Sequence, residues 1–435
     1  MDWRERKIHL IGVGGAGMSG LAWAAHRLGA MVSGSDRAES TYLERLREAG
    51  VEVSVGHDPA NLPEGAEVVI STAISDDNPE LLLARERSVK VRHRSELLAE
   101  LCSARRQIAV AGTHGKTTTT GMLTHALRQL GQDPGFFIGG ELPGFGPQGS
   151  DANSGWTSGE WVVVEADESD GSFLTLDPEI AVITNIEMDH HARWENLAEL
   201  RRAFHDFAAR AEAVVLPAGD HELAADLTSA ARRVSVFDRV APGPKTLDLA
   251  VPGQHNRLNA RAALAALVAA GFDEQAAAEA LRGFTGVRRR QEYKGDCGES
   301  RVYDDYAHHP TEVSAALEAL REFAPDRLIA VFQPHLFSRT RIFSQQFGAA
   351  LAAADEIVVL DVYPAREEPV GALAGVSGLD VARAAADRAG GRPVFWAPDL
   401  DAAERIVRER AAPGAVIATL GAGDVTRLSD RLVRS

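Results

Sequence analysis

The chain has 435 residues, 45% hydrophobic and 25% charged, with a formal net charge of −16. That length exceeds one ordinary core and predicts roughly three domains of a soluble globular protein. The acidic balance argues against nucleic acid as the main partner, no apolar run is long enough to span a bilayer, and two distant cysteines, Cys102 and Cys297, provide neither a disulfide framework nor metal-ligand spacing.

The N-terminus lacks a secretory apolar stretch, so a cytoplasmic protein is expected. Lys7 to Ile11 reads as a strand. It runs into Gly12-Val-Gly14-Gly15-Ala-Gly17 and a helix from about Leu21 to Leu28. Glycines at a strand-to-helix turn let a pyrophosphate approach the helix N-terminus. A second strand, Ala30 to Ser33, leads to Asp36, whose spacing from the glycines fits an NAD ribose contact. Any nucleotide diphosphate could use the same turn. Val51 to Val55 and Ala66 to Ser71 are further strands, and the loop from Ser71 lies where open α/β sheets bind ligands. This first Rossmann-type unit is expected to end near Ala104.

Ile108 to Ala111 reads as a buried strand, followed by Gly112-Thr113-His114-Gly115-Lys116-Thr117-Thr118 and a helix from Met122 to Leu130. Strand, glycine loop, Lys, Thr and helix form the layout of a phosphate cradle. Backbone N–H groups face the anion, the ammonium reaches terminal phosphates and a Thr hydroxyl can hold Mg²⁺. Val110 stands where the usual P-loop has its first Gly, so the motif is a shortened variant. ATP or GTP is the expected ligand, and Lys116 is expected to stand exposed in the cleft. Phe136 to Gly140 reads as strand and turn, Glu141 to Gly159 as loop, and Trp161 to Glu165 as a buried strand. Four acids follow closely: Glu165, Asp167, Glu168 and Asp170. Glu165, last of its strand, is the choice for Mg²⁺ beside the phosphates. Ile180 to Thr184 is another strand, ending in Asn185-Ile-Glu187-Met-Asp189-His190-His191. That segment fits a second metal position, a substrate contact or a polar loop equally well.

Asn256 and Asn259 precede an Ala-rich helix, about Ala260 to Ala270, and would share a face of a first turn. Arg288-Arg289-Arg290 is either a solvated linker or a phosphate clamp near a boundary at about Gln291 to Ser300. Beyond it, strands at Val302–Tyr306, Leu328–Phe332, Ile357–Leu360, Pro393–Trp396 and Ala415–Leu420 alternate with helical patterns. Their polar ends, which include His308, His335, Arg339, Arg366 and Asp424, suggest a ligand-binding rim.

Together, Gly12–Gly20, Gly112–Thr120, Glu165–Leu174, Thr184–Glu187, Asp189-His190, His255–Asn259, Gly286–Glu292, Asp304–Glu312 and Phe332–His335 resemble the Mur ligases of bacterial cell-wall synthesis, and within them the alanine-adding branch. The resemblance implies a three-domain α/β fold: a Rossmann-like UDP-sugar domain (1–104), a central P-loop ATPase-type domain for ATP and Mg²⁺ (105–292), and a C-terminal Rossmann-like amino-acid domain (293–435). It implies ATP-dependent ligation of L-alanine to UDP-N-acetylmuramate through an acyl phosphate, in peptidoglycan precursor synthesis. No nucleic acid, membrane or obligatory protein partner is inferred.

By the same resemblance Gly12, Gly14, Gly15, Gly17, Asp36 and Ser71 bind the UDP-sugar rather than NAD. Gly112 to Thr118, Asn256 and Asn259 bind ATP. Thr117, Glu165 and His190 hold metal. Lys116, His190, Arg290 and Asp305 are catalytic, and His308, His335 and Arg339 take the amino acid. Two positions depart from the family pattern: Ala192 stands where many members have Asp, and Gln291 where an aromatic is common. Rival expectations are a sister ligase attaching a recycled murein peptide, an NAD-dependent dehydrogenase, and a nucleotide-binding regulator without catalysis. The dehydrogenase leaves the central cradle unexplained.

Overall fold

Runs of Val, Ile and Ala too apolar for a solvent-facing strand are buried here on both faces, as parallel sheets require. The computed structural model describes residues 2–146, 149–188, 193–218, 227, 232–237, 247, 249–365 and 367–434. Its strands form three sheets. The first holds β1 (Lys7–Ile11), β2 (Met31–Asp36), β3 (Glu52–Val55), β4 (Glu67–Ile70) and β5 (Val91–His93), in the order β3-β2-β1-β4-β5, all parallel. The chain leaves β1 toward one edge and returns at β4 toward the other. The glycine turn after β1 therefore sits where the strand order reverses, the crevice in which such sheets bind ligands.

The second sheet holds β6 (Arg106–Ala111), β7 (Gly135–Leu142), β8 (Ala152–Gly155), β9 (Trp161–Glu165), β10 (Ile180–Ile183), β11 (Ala213–Pro217) and β12 (Val234–Phe237). Their order is β12-β11-β10-β6-β9-β7-β8, and only β7–β8 is antiparallel. β6 lies between β9 and β10, so its carboxyl end is a second reversal point. Ile108 to Ala111 and Val162 to Val164 are fully buried. The third sheet holds β13 (Glu292–Cys297), β14 (Ser300–Asp305), β15 (Arg327–Phe332), β16 (Glu356–Leu360), β17 (Val394–Ala397) and β18 (Ala415–Leu420), in the order β13-β14-β18-β15-β16-β17. The chain divides into two compact units, one made of residues up to 248 with Leu258–Phe284, the other of Leu249–Arg257 with Thr285 onward. Among the described residues, no helix is long and apolar enough to cross a membrane.

Several boundaries differ from the sequence expectations. The cradle helix spans Lys116–Gln129, beginning six residues before Met122. Its first turn is a run of β-branched threonines, poor in intrinsic propensity, but burial of Thr119 and Thr120 overrides that preference. The first helix likewise starts early, at Ala16. The segment Glu141 to Gly159 is not all loop: β8 pairs with β7 as an edge strand, with Phe136 opposite Gly155. The presumed linker Gln291 to Ser300 contains β13, joined to β14 by a two-residue turn with Gly298 at φ +59°. The helix after Pro252 spans Gln254–Ala269, so it already includes both asparagines.

A buried polar network stiffens the first sheet. The Glu80 carboxylate is fully buried. It lies 3.2 Å from His9 Nε2 and accepts from Ser35 Oγ (2.5 Å), Asn61 Nδ2 (2.9 Å) and the Asp58 N–H (3.1 Å). Burial alone would raise its pKa, but the bonds from His9, Ser35 and Asn61 outweigh it and lower the value to about 2. The folded-state pKa lies below the unfolded one. The stabilisation is therefore complete above about pH 4.5 and lost as pH falls toward 2, in total about 3 kcal/mol. Glu80→Gln should lower thermal stability at pH 7 and flatten the wild-type loss of stability between pH 5 and 3. Thermal melts of both proteins across that range check this; parallel pH curves would refute it.

Candidate active site

The loop after β6 is shaped by its neighbours. Gly112 has φ +133°, and a Cβ there would stand 2.1 Å from Thr184 Oγ1. Gly115 has φ +83°, and its Cβ would stand 2.4 Å from Asn259 Oδ1. No side chain fits either position. Residues following β10 fasten the loop from the other side. Thr184 Oγ1 donates to the His114 carbonyl (2.6 Å), Asn185 Nδ2 donates to the same oxygen (2.9 Å), and the His114 N–H donates to Asn185 Oδ1 (2.9 Å). Thr113 Oγ1 bridges the Glu187 backbone, donating to its carbonyl (2.9 Å) and accepting from its N–H (2.8 Å). His114 Nε2 lies 3.4 Å from Glu187 Oε2.

Lys116 is not exposed in a cleft. Its ammonium donates to the Gly112 carbonyl (2.7 Å) and reaches Thr113 O (3.3 Å) and both Glu168 oxygens (3.1 and 2.9 Å). Burial works against the charge, but Glu168, then Asp167 and Glu165, raise the lysine pKa above its ordinary value. Thr117 Oγ1 donates to Glu165 Oε1 (3.0 Å), and Glu165 Oε2 accepts from the Gly139 N–H (2.6 Å). Thr118 is buried on the same first turn. Thus Gly112 to Thr118, Glu165 and Asn259 meet at one reversal point. In the sequence Glu168 is one of four close-spaced acids with nothing to mark it out; its proximity to Lys116 comes only from the fold. His190, with Asp189, His191 and Ala192, lies outside the described residues.

At the first reversal point, Gly12 has φ +81° and Gly15 caps the helix Ala16–Arg27. Asp36 Oδ2 accepts from the Gly14 N–H (2.9 Å), so the acid read as a ribose contact fastens the turn. Ser71 Oγ accepts from the Ala73 N–H, and a Cβ on Gly12 would stand 3.0 Å from Ile74 of that same loop. Arg94 reaches the place where a Gly17 Cβ would point and donates to Asp170 Oδ2 (3.0 Å). Asn153 Nδ2 donates to the Ala16 carbonyl (2.7 Å).

The second unit gathers the remaining candidates at the carboxyl ends of β14, β15 and β18. Asp305 is buried and accepts from the Ala307 (2.8 Å) and Gln291 (2.9 Å) N–H groups. Burial raises its pKa to about 6 against the opposing pull of Arg290 and those two bonds. Gln291, at φ +51°, also accepts from Asn256 Nδ2 through its side chain (3.2 Å). Arg289 and Arg290 stand over the Tyr306 ring, 5.0 and 5.1 Å from its centre. The His308 and His335 rings are 6.1 Å apart, edge to face, and His335 stacks on Tyr363 at 5.8 Å. Arg339 is buried on the first turn of Phe337–Leu351. Arg366 lies outside the described residues.

Comparison with known proteins follows the same three-part order. Residues 7–106 match the Mur ligase family catalytic domain, 110–242 the Mur ligase middle domain, and 289–423 the Mur ligase glutamate ligase domain. The UDP-N-acetylmuramate–L-alanine ligase of Kineococcus radiotolerans is 45% identical, over 99% of this chain and 96% of that protein. The enzyme of that name from Thermobifida fusca is 41% identical over the same shares. The solved UDP-N-acetylmuramate–alanine ligase of Thermotoga maritima superimposes with a TM-score of 0.80 at 31% identity, covering 98% of each chain. A murein peptide ligase from Psychrobacter arcticus gives 0.67 at 25% identity, again over 98% of each. Over nearly its whole length, and through all three sheets, the chain belongs to the Mur ligase family.

Proposed function

We propose that this protein ligates L-alanine to UDP-N-acetylmuramate, converting ATP to ADP and phosphate, in peptidoglycan precursor synthesis. The observation that carries this reading is its 45% identity, along both chains, to a ligase named for that reaction. Residues 1–104 are assigned to the UDP-sugar, 105–292 to ATP and 293–435 to the amino acid. Both cysteines are buried and free, which suits a cytoplasmic setting.

A free carboxylate is a poor electrophile, so the reaction first makes a leaving group. An oxygen of the muramate carboxylate attacks the γ-phosphorus, the bond to the β-phosphate bridging oxygen breaks, and ADP departs. Lys116 neutralises charge on the terminal phosphate, and the loop and helix N–H groups orient it. Thr117 and Glu165 suit Mg²⁺, since a hydroxyl and a carboxylate oxygen stand 3.0 Å apart beside the lysine, both hard donors. When bound, that ion would balance phosphate charge; family resemblance adds His190 for a second one. The alanine amine then attacks the acyl carbon, a tetrahedral intermediate forms, the carbon–oxygen bond breaks and phosphate leaves. The amine proton passes to solvent. Arg339 is assigned to the alanine carboxylate, as a fork-shaped cation suits it, with His308 and His335 beside it. Asp305 holds the segment at Gln291 through its N–H; Arg290 and Asp305 are assigned catalytic roles by family resemblance, and Asn256 and Asn259 are assigned to the nucleotide site.

The competing reading is the peptide-adding sister ligase; the Psychrobacter arcticus structure of that kind is less similar to this chain than the Thermotoga maritima alanine ligase. Phosphate release with ATP, Mg²⁺, UDP-N-acetylmuramate and one amine at a time decides between them. L-Alanine should stimulate it, and stimulation by a murein tripeptide alone would overturn the assignment. Lys116→Ala should cut turnover by at least about 10²-fold, the scale for one preorganised electrostatic contact; near-normal activity would remove its role.

Asp305, with a pKa of about 6, should be ionised above that pH and protonated below it. Turnover should therefore fall as pH drops through 6. Asp305→Asn should replace that limb with a low, flat profile, measured as kcat from pH 5 to 8. An unaltered acidic limb would exclude Asp305 as its origin.

A further inference from the structure

Lys116 has three N–H donors but faces four oxygens: Gly112 O, Thr113 O and the two of Glu168. The longest contact is Thr113 O at 3.3 Å. It is the contact most readily exchanged for a phosphate oxygen, leaving Gly112 O and the carboxylate in place. Glu168 itself is 1% exposed. Its backbone carbonyl accepts from both Trp194 Nε1 (3.1 Å) and the Gly171 N–H (3.1 Å). Two donors on one carbonyl, one of them from a buried indole, fix the peptide and hence the root of the side chain. A buried carboxylate costs free energy unless it is paired, and the cradle lysine is a partner within 2.9 Å.

We infer that Glu168 is the positioning residue of Lys116: it holds the ammonium against the loop while one N–H turns to the terminal phosphate of the nucleotide. The inference rests on the reading of the cradle given above. It makes Glu168 distinct in role from Glu165, which faces Thr117. A lysine aimed by a fixed carboxylate meets the transferring phosphoryl group without reorganising. A lysine without that partner retains its charge but samples other rotamers, and misplacement by about 1 Å costs roughly 10²-fold.

The test is a double-substitution cycle on the full chain, reading kcat and the KM for ATP with the other substrates saturating. Glu168→Gln, similar in size but neutral, should lower kcat by about 10–100-fold with the KM for ATP changed less than about threefold. In a Lys116→Ala background the same substitution should cost less than about twofold, because its effect passes through the missing ammonium. Glu168→Asp keeps the charge on a shorter stem and should give an intermediate kcat. It also serves if the Gln variant does not fold. Wild-type kcat in either Glu168 variant would overturn the inference. So would equal losses with and without Lys116, the signature of a merely structural role. Full kcat in Lys116→Ala alone would overturn the reading of the cradle, and this inference with it.

Discussion

The ion pair between Lys116 and the buried Glu168 is the constraint around which the cradle is built. An ammonium and a carboxylate withdrawn from water are tolerable only together. Their meeting requires that β6 and β9 be neighbours, that the loop after β6 fold back on its own carbonyls, and that the segment after β9 turn within three residues of Glu165. Parallel pairing of Val110 with Glu165 supplies the first condition. Positive φ at Gly112 and Gly115 supplies the second. The Glu168 carbonyl, held by Trp194 and Gly171, supplies the third.

The opposite wall of the cradle depends on β10. Ile183 pairs with Ala111, and that register puts Thr184 and Asn185 beside the loop. The Thr184 side chain and the Asn185 backbone fill the space a Gly112 Cβ would need, which is why residue 112 has no side chain. A loop fastened on both sides by hydrogen bonds does not have to be organised when an anion arrives, and such preorganisation is the main currency of phosphoryl transfer. The glycine turn of the first sheet uses the same logic with different parts: Asp36 holds the Gly14 N–H, and Arg94 leans over Gly17 from an ion pair with Asp170.

The second unit handles charge differently. Burial outweighs the pull of Arg290 on Asp305 and its pKa rises, whereas Glu80 in the first sheet is surrounded by donors and its pKa falls. Burial is the leading influence on both; the number of hydrogen bonds offered to the charged form decides the direction.

By itself the sequence determined the fold class, the family's three-part order and the strand, glycine loop and helix that carry Lys116. Those features are written locally, in apolar runs ending at glycines and in a Gly-x-x-Gly-Lys-Thr turn. Family membership was legible for the same reason, since its motifs are short and contiguous. The sequence hid the edge strand β8 and the hairpin strand β13, whose residues carry little β pattern because each pairs on one side. It hid the start of the cradle helix, where burial overrides the weak propensity of four threonines. Above all it hid the partners of the charged groups. Asp36, read as a ligand contact, also accepts from Gly14; Glu168, read as one acid among four, pairs with Lys116. Such pairings join residues 22 and 52 positions apart, and only strand order and register, fixed by packing of the whole sheet, bring them within hydrogen-bond distance.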